Sequence, residues 1–417
     1  MAGALGHIRV LDLATELGWY CGKLFAGLGA NVIRVEPVNG DPGRRVGPFA
    51  HGGDGDVSLF WEAGSAGKRS VAVDLESEDG REILRRLITN TDILIESFSP
   101  GFLESIGFSW DQLQHLNPQL VYVSITPYGA SGPYSEFRAS DLTLQAMGGL
   151  SWLCGDADRA PTRLGAPQSM IMAGAQGAIG AMLGYTEAVR NRRAVRVDVS
   201  AQEAITWGLI PTRQVWELSH MLIMRAGPAR SFSDRRIQVI YQCADGHAAV
   251  FGVIGRELPT LIGWLDELGI EHDLHDEHWT QLGQAGTPAA NQTDFDHVAG
   301  FIATLARRFE REEFAREAQQ RRIIVYPVYG SIDLLSHSCL LEREFYEEIT
   351  LANGQIARVP GAPFRFSETP WQVKAAPALG EHAAEVLGEV GYDDAAIERL
   401  QSATVVSVAP RTKEGAR

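Results

Sequence analysis

Over its first 130 residues the chain alternates short apolar runs of strand character with stretches of helical periodicity. No other feature restricts the fold as much. Ile8–Leu13, Asn31–Glu36, Val71–Leu75, Asp92–Glu96 and Leu120–Ile125 read as strands. Gly18–Leu28 and Gly80–Thr89 read as the helices between them. Strands that alternate with helices must be joined by crossovers, which predicts a largely parallel sheet covered on both faces.

The pattern changes further along. Met170–Tyr185 is a small-residue helix with Gly174, Gly177, Gly180 and Gly184 spaced by three and four. Glycine weakens a helix, so the stripe predicts close approach to a neighbour. Val195–Val199 reads as a strand, followed by one long helix over Gln202–Arg225. The stretch 226–235 shifts in composition and reads as a linker. Beyond it, Asp245-Gly246 lies between two apolar runs, the signal of a tight hairpin. Helices near 256–268 and 293–320 complete a smaller α+β region. Strand character returns at Ile323, and the tail from Glu381 to Gln401 reads as helix. The expected division is a large domain from 1–225, a small one from 226–325, and a return to the large domain over 326–417.

Composition excludes several functions. Lys and Arg number 37 against 52 Asp and Glu, a formal charge of -15 that opposes broad nucleic-acid or anionic-membrane binding. A local basic pocket for a phosphorylated ligand stays open. Cys21, Cys154, Cys243 and Cys339 are far apart, which sets neither a zinc site nor a disulfide framework and suits reduced thiols in the cytoplasm. No signal peptide and no run of 18 apolar residues is evident.

Several motif fragments fail on geometry. The glycines of Gly27–Ala30 follow a helix and precede a strand, the reverse of a dinucleotide fingerprint, so no NAD site is expected. Gly64–Ser70 is not a P-loop, because Glu62 and Arg69 stand where Gly and Ser or Thr are needed. His272, His275 and His278 are interleaved with acids and read as a solvated polar face, so no metal is expected. There is no GxSxG elbow. Two acids stay open. Asp141 is either a helix N-cap or a site residue. Glu16, in the loop after the first strand, is either a solvated carboxylate or part of a cleft at the strand ends.

Longer segments carry a resemblance. VLDLATELGWYCGKLFAGLGANVIRVEP, GKRSVAVDL, DILIESFSPGFLESIGFSWDQLQ, SDLTLQAMGGL, PVYGSIDLL and PGAPFRFSETP together resemble the class III CoA-transferase family over nearly the whole length. The resemblance implies an α/β fold: a Rossmann-like large domain built from both chain ends, a smaller middle domain, and two chains interlocked with active sites at their interface. It implies coenzyme A or acyl-CoA as substrate, with no metal and no NAD. It also implies a mechanism in which an aspartate carboxylate attacks an acyl-CoA and then carries CoA as an aspartyl thioester. By likeness to the family's ligand-side loops, Lys68, Arg69, Val73, Asp74, Leu75, Ser97, Phe98 and Arg138 would hold CoA. Arg34, Arg44 and Arg45 are further cations that could meet its phosphates.

The chain departs from the family where the chemistry should lie. Counting on from Gln145 through Arg163, Gly165 and Pro167 without a gap, the nucleophile's position holds Met170. A thioether forms no anhydride and no thioester. Ser140 stands where the family's racemases carry histidine, so racemisation is not expected. Ser97 and Ser105 replace the family's usual Asn and Arg. Some members pair two paralogous subunits, as in benzylsuccinate CoA-transferase. The expectation is therefore a cytoplasmic CoA-transferase subunit without the catalytic Asp, joined to an Asp-bearing paralogue. One alternative is a self-sufficient transferase with a displaced acid, Asp141 or Glu16. The other is a non-catalytic acyl-CoA-binding protein.

Overall fold

The computed structural model describes residues 3–52, 55–232, 235–285 and 289–409. The chain divides into two compact units. The first comprises Met1–Gly148, Gly165–Gly208 and Cys339–Arg417; the second comprises Gly149–Leu164 and Leu209–Ser338.

In the first unit the strands are β1 (Arg9–Asp12), β2 (Asn31–Glu36), the hairpin β3 (Phe49–Gly52) and β4 (Gly55–Ser58), β5 (Arg69–Val73), β6 (Ile93–Glu96), β7 (Val121–Thr126) and β8 (Val195–Ser200). The second unit holds β9 (Ala229–Phe232), β10 (Arg235–Gln238), β11 (Ile240–Gln242), β12 (His247–Phe251) and β13 (Ile324–Pro327). The returning chain adds the hairpin β14 (Tyr346–Thr350) and β15 (Ile356–Pro360), then β16 (Val406–Ser407).

A seven-stranded sheet organises the first unit in the order β16-β5-β2-β1-β6-β7-β8. All its pairings are parallel except that of β16 with β5. The chain winds from β1 outward to β5, then crosses back to β6 and winds the other way, so the order reverses between β1 and β6. One face buries Leu11, Ile33, Val71 and Leu94 against Ile83 and Leu87 of the helix Glu78–Thr89. The same core takes Val386 and Leu387 of the helix Ala383–Glu389, so the tail completes the N-terminal sheet. Among the described residues no helix is long and apolar enough to cross a membrane.

The glycine stripe lies on a longer helix than its motif, Gln168–Asn191. A Cβ on Gly174 would stand 2.7 Å from the Tyr20 Cβ and 2.9 Å from the Cys21 nitrogen, so only glycine permits this contact with the helix Trp19–Gly27.

Two stretches differ from the sequence pattern. Gln202–Arg225 is not one helix. Ala201–Trp207 ends at Gly208, and a second helix, Ile210–Ser219, opens with Pro211 in its first turn. Apolar residues continue through this break, but among the described residues only the first piece buries a face, with Ala201, Ala204 and Ile205, while Trp216 and Leu218 of the second are exposed; the chain passes between units here rather than at 225. Strand β13 pairs antiparallel with β12, which keeps the chain in the second unit to Ser338 rather than to 325. That unit's core gathers Trp264, Leu265, Phe314 and Val325.

Candidate functional site

In a sheet wound both ways from its middle, ligands bind beyond the carboxyl ends of the strands where the order reverses. Here that is the rim formed by the loops after β1 and β6. A short bond network joins them: Thr15 N–H donates to Ser97 Oγ at 2.7 Å, and the two hydroxyls lie 2.8 Å apart. Phe98 N–H donates to Glu96 Oε2 at 2.7 Å, and the Phe98 ring packs on Phe102 at 4.6 Å. Asp74 and Leu75 follow β5 at the same end of the sheet. Asp74 Oδ1 accepts from Glu76 N–H at 3.0 Å, and Val73 is buried opposite Val406.

The helix Gln168–Asn191 brings Met170 to this rim. Met170 is 7% exposed and packs with Trp19 and Trp61, two indoles set edge to face at 5.5 Å. Its thioether therefore fills an apolar pocket. Ser169 beside it is tied to Asp141, whose Oδ1 accepts from Ser169 N–H at 3.0 Å and Ser169 Oγ at 2.8 Å. Asp141 Oδ2 accepts from Gln145 at 2.7 Å. The N-cap of the helix Asp141–Met147 is Ser140; Asp141 instead caps the long helix, whose own cap position, Pro167, offers no side-chain acceptor. A carboxylate at a helix N-terminus satisfies orphan N–H groups and meets the positive end of the dipole.

Glu16 begins the 3-10 turn Glu16–Gly18 and is exposed at its surface. Partial burial pushes its carboxyl above the usual range, and the charges of Asp141 and Asp41 push the same way. Glu16, Asp141 and Met170 thus share one neighbourhood.

The expected phosphate-binding cations have separate fates. Lys68 is wholly buried, its Nζ donating to Asp12 Oδ2 at 2.7 Å and to the Trp19 carbonyl at 3.0 Å. Burial pulls its ammonium below the ordinary lysine range and Asp12 opposes that pull. Arg34 is buried with it, donating to Asp12, Asp41 and the Ala14 carbonyl. Arg44 clasps Glu36 through two bonds of 2.7 and 2.6 Å and lies 4.2 Å from the centre of the Trp61 ring. Arg69 stands at the amino end of β5, away from the rim, and pairs with Glu385 and Glu389 of the tail. Arg45 donates to the Asn39 carbonyl, and Arg138 is exposed.

The motifs gave no hint of the cluster of Asp12, Arg34 and Asp41. Buried charges at strand ends look like surface charges until a partner strand is placed beside them. Through Arg44 and Trp61 the same region reaches Met170, so it stiffens the wall of the pocket.

In the second unit, Asp266, His272 and His275 bring their ligand atoms within 4.8 Å of one another. His272 Nδ1 accepts from Leu274 N–H at 3.2 Å, so its Nε2 carries the proton and donates to Asp266 at 3.0 Å. His275 shares the same oxygen at 3.1 Å. The group is satisfied as a hydrogen-bonded trio, and His272 has no lone pair directed inward for an ion.

Comparisons with known proteins agree with the α/β fold. The chain is 36% identical over 409 residues to the succinyl-CoA:(R)-benzylsuccinate CoA-transferase subunit BbsE of Thauera aromatica, covering 96% of this chain and 97% of that one. It is 29% identical to the formyl-CoA:oxalate CoA-transferase of Streptomyces coelicolor, over 97% of this chain and all of that protein (100%). A crystal structure of a CAIB/BAIF family protein from Brucella suis superposes with a TM-score of 0.80 at 26% identity, covering 94% of this chain and 100% of that one. Relatives named as CoA-transferases along nearly their whole length support a CoA-transferase activity. With residues 5–383 matching the family described as CoA-transferase family III, the chain belongs to that family.

Proposed function

We propose that this chain is the subunit of a heteromeric class III CoA-transferase that lacks the nucleophilic carboxylate. One observation carries the reading. At the rim where the resemblance locates the nucleophile, Met170 is buried against Trp19 and Trp61. The relative named as a CoA-transferase subunit supports the heteromeric part of this reading. An Asp-bearing paralogue would attack the acyl-CoA carbonyl, exchange the acid for CoA and hand CoA to a second acid. This chain would complete the interlocked pair in the cytoplasm and lend loops to it. Ser97, Phe98, Val73, Asp74, Leu75 and Arg138 are its contacts for coenzyme A by family likeness; Lys68 and Arg69 serve structural pairs.

A self-sufficient enzyme using Asp141 is disfavoured because both its oxygens already accept bonds that hold the long helix. Glu16 is the better displaced acid, since its carboxyl is raised and its side chain makes no hydrogen bond or ion pair among the described residues. The test is to purify the chain alone and with an Asp-bearing paralogue and to assay CoA exchange between succinate and an aryl-substituted acid. Exchange is expected only from the pair. Ordinary turnover by the chain alone, with a CoA adduct on Glu16 by mass spectrometry, would overturn the proposal.

A further inference from the structure

The sequence holds only four lysines, Lys23, Lys68, Lys374 and Lys413, in a chain of formal charge -15. Lys413 lies outside the described residues, and Lys68 is spent on Asp12. The remaining two line one cavity of about 270 Å³ in the first unit. It lies among the helix Trp19–Gly27, the helix Leu59–Ser65, the hairpin β14–β15 and residues 371–374.

The cavity is built rather than incidental. Leu59, Ile349, Leu351, Val359 and Trp371 give it apolar walls. A Cβ on Gly27 would stand 2.0 Å from the Trp371 ring, so glycine is what lets that indole close the wall. Gln372 N–H donates to the Gly27 carbonyl at 2.7 Å and fixes the segment. Its charged groups are Lys23, Lys374, Arg358 and Glu62. Arg358 pairs with Glu348 at 3.3 Å, and Glu62 accepts from Ala376 N–H at 2.7 Å.

Lys23 is different. It is partly buried and makes neither a hydrogen bond nor an ion pair among the described residues. Burial pulls its ammonium below the ordinary range, nearby Lys68 adds to that, and Glu62 opposes it. A desolvated cation without an acceptor is costly, and an anion that enters the cavity removes that cost.

We propose that this cavity binds a small acid, its carboxylate on Lys23 and its apolar body against Leu59, Ile349 and Trp371. The volume suits a single aryl or short acyl group and is too small for a nucleotide-bearing ligand. Lys374 at the wall adds positive potential that draws an anion to an otherwise acidic protein. Its lining includes none of Met170, Trp19 and Trp61, and the site holds whether or not a paralogous subunit joins the chain.

The test uses the full chain, 3-phenylpropionate as probe and its uncharged amide as control. Calorimetry should show the carboxylate binding at least about tenfold more tightly than the amide, the margin of a charged hydrogen bond. Lys23→Met should erase that margin while leaving weak amide binding. Amine labelling at neutral pH, read by peptide mass, should show Lys23 protected by the carboxylate. Equal binding of acid and amide by the unaltered chain would overturn the proposal without depending on any variant. So would protection of Lys23 by coenzyme A but not by the acid.

Discussion

Met170 was legible as a residue out of place, but its surroundings were not. Counting along one motif frame locates it; only the fold shows that it packs against Trp19 and Trp61. Met170→Leu should cost under about 1.5 kcal/mol and Met170→Ala about 2–5 kcal/mol in urea unfolding, as a buried packing residue demands. Met170→Leu should leave CoA exchange by the reconstituted pair within a few-fold, because the thioether takes no part in bond making. Asp141 was open between cap and site residue, and the cap it provides belongs to a helix 28 residues further on. No local pattern announces such a partner. Asp141→Ala should cost about 1–2 kcal/mol, and Asp141→Asn, which keeps an acceptor, less than half of that. If Asp141 were the nucleophile, Asn would instead abolish exchange with stability intact.

At the scale of elements, the strands of the sheet were readable because a strand buried on both faces is a nearly continuous apolar run. The charges at their ends were not, since Lys68 and Arg69 are neighbours with opposite surroundings. Lys68→Met strips Asp12 of its closest partner in a buried cluster and should cost about 3–5 kcal/mol. Arg69→Met removes half-exposed pairs with the tail and should cost under about 1 kcal/mol. Denaturant midpoints of the two variants separate these roles. On the helix Leu59–Ser65, burial lifts the Glu62 carboxyl above its ordinary range, with Ala376 N–H and Lys23 opposing. The folded state therefore holds this proton more tightly than the unfolded chain does. Glu62 costs stability as pH rises from the ordinary Glu range through its raised folded value. Glu62→Gln should raise the melting temperature at neutral pH and leave it unchanged at acid pH. A gain that is the same at both would locate the effect elsewhere.

For the whole molecule, the family likeness implies an interlocked pair, and one surface of the first unit is suited to such a partner. The helix Gln168–Asn191 turns its small residues to the sheet and leaves Ile179 54% and Leu183 69% exposed on the other side. Sequence periodicity could not separate these two from core residues, because a helix apolar all round reads as buried on every side. Facing water, such a surface costs hydration unless another chain covers it. Fully covering two aliphatic side chains contributes about 1.5–3 kcal/mol each. Replacing both Ile179 and Leu183 with lysine should therefore weaken copurification with the Asp-bearing paralogue by more than about tenfold. The far-ultraviolet spectrum and melting of the isolated chain should stay unchanged, since neither side chain is part of its core. Loss of folding in the isolated variant would show that the helix face serves its own unit. Undiminished pairing would place the partner on another surface, and CoA exchange by the mixture would then survive both lysines.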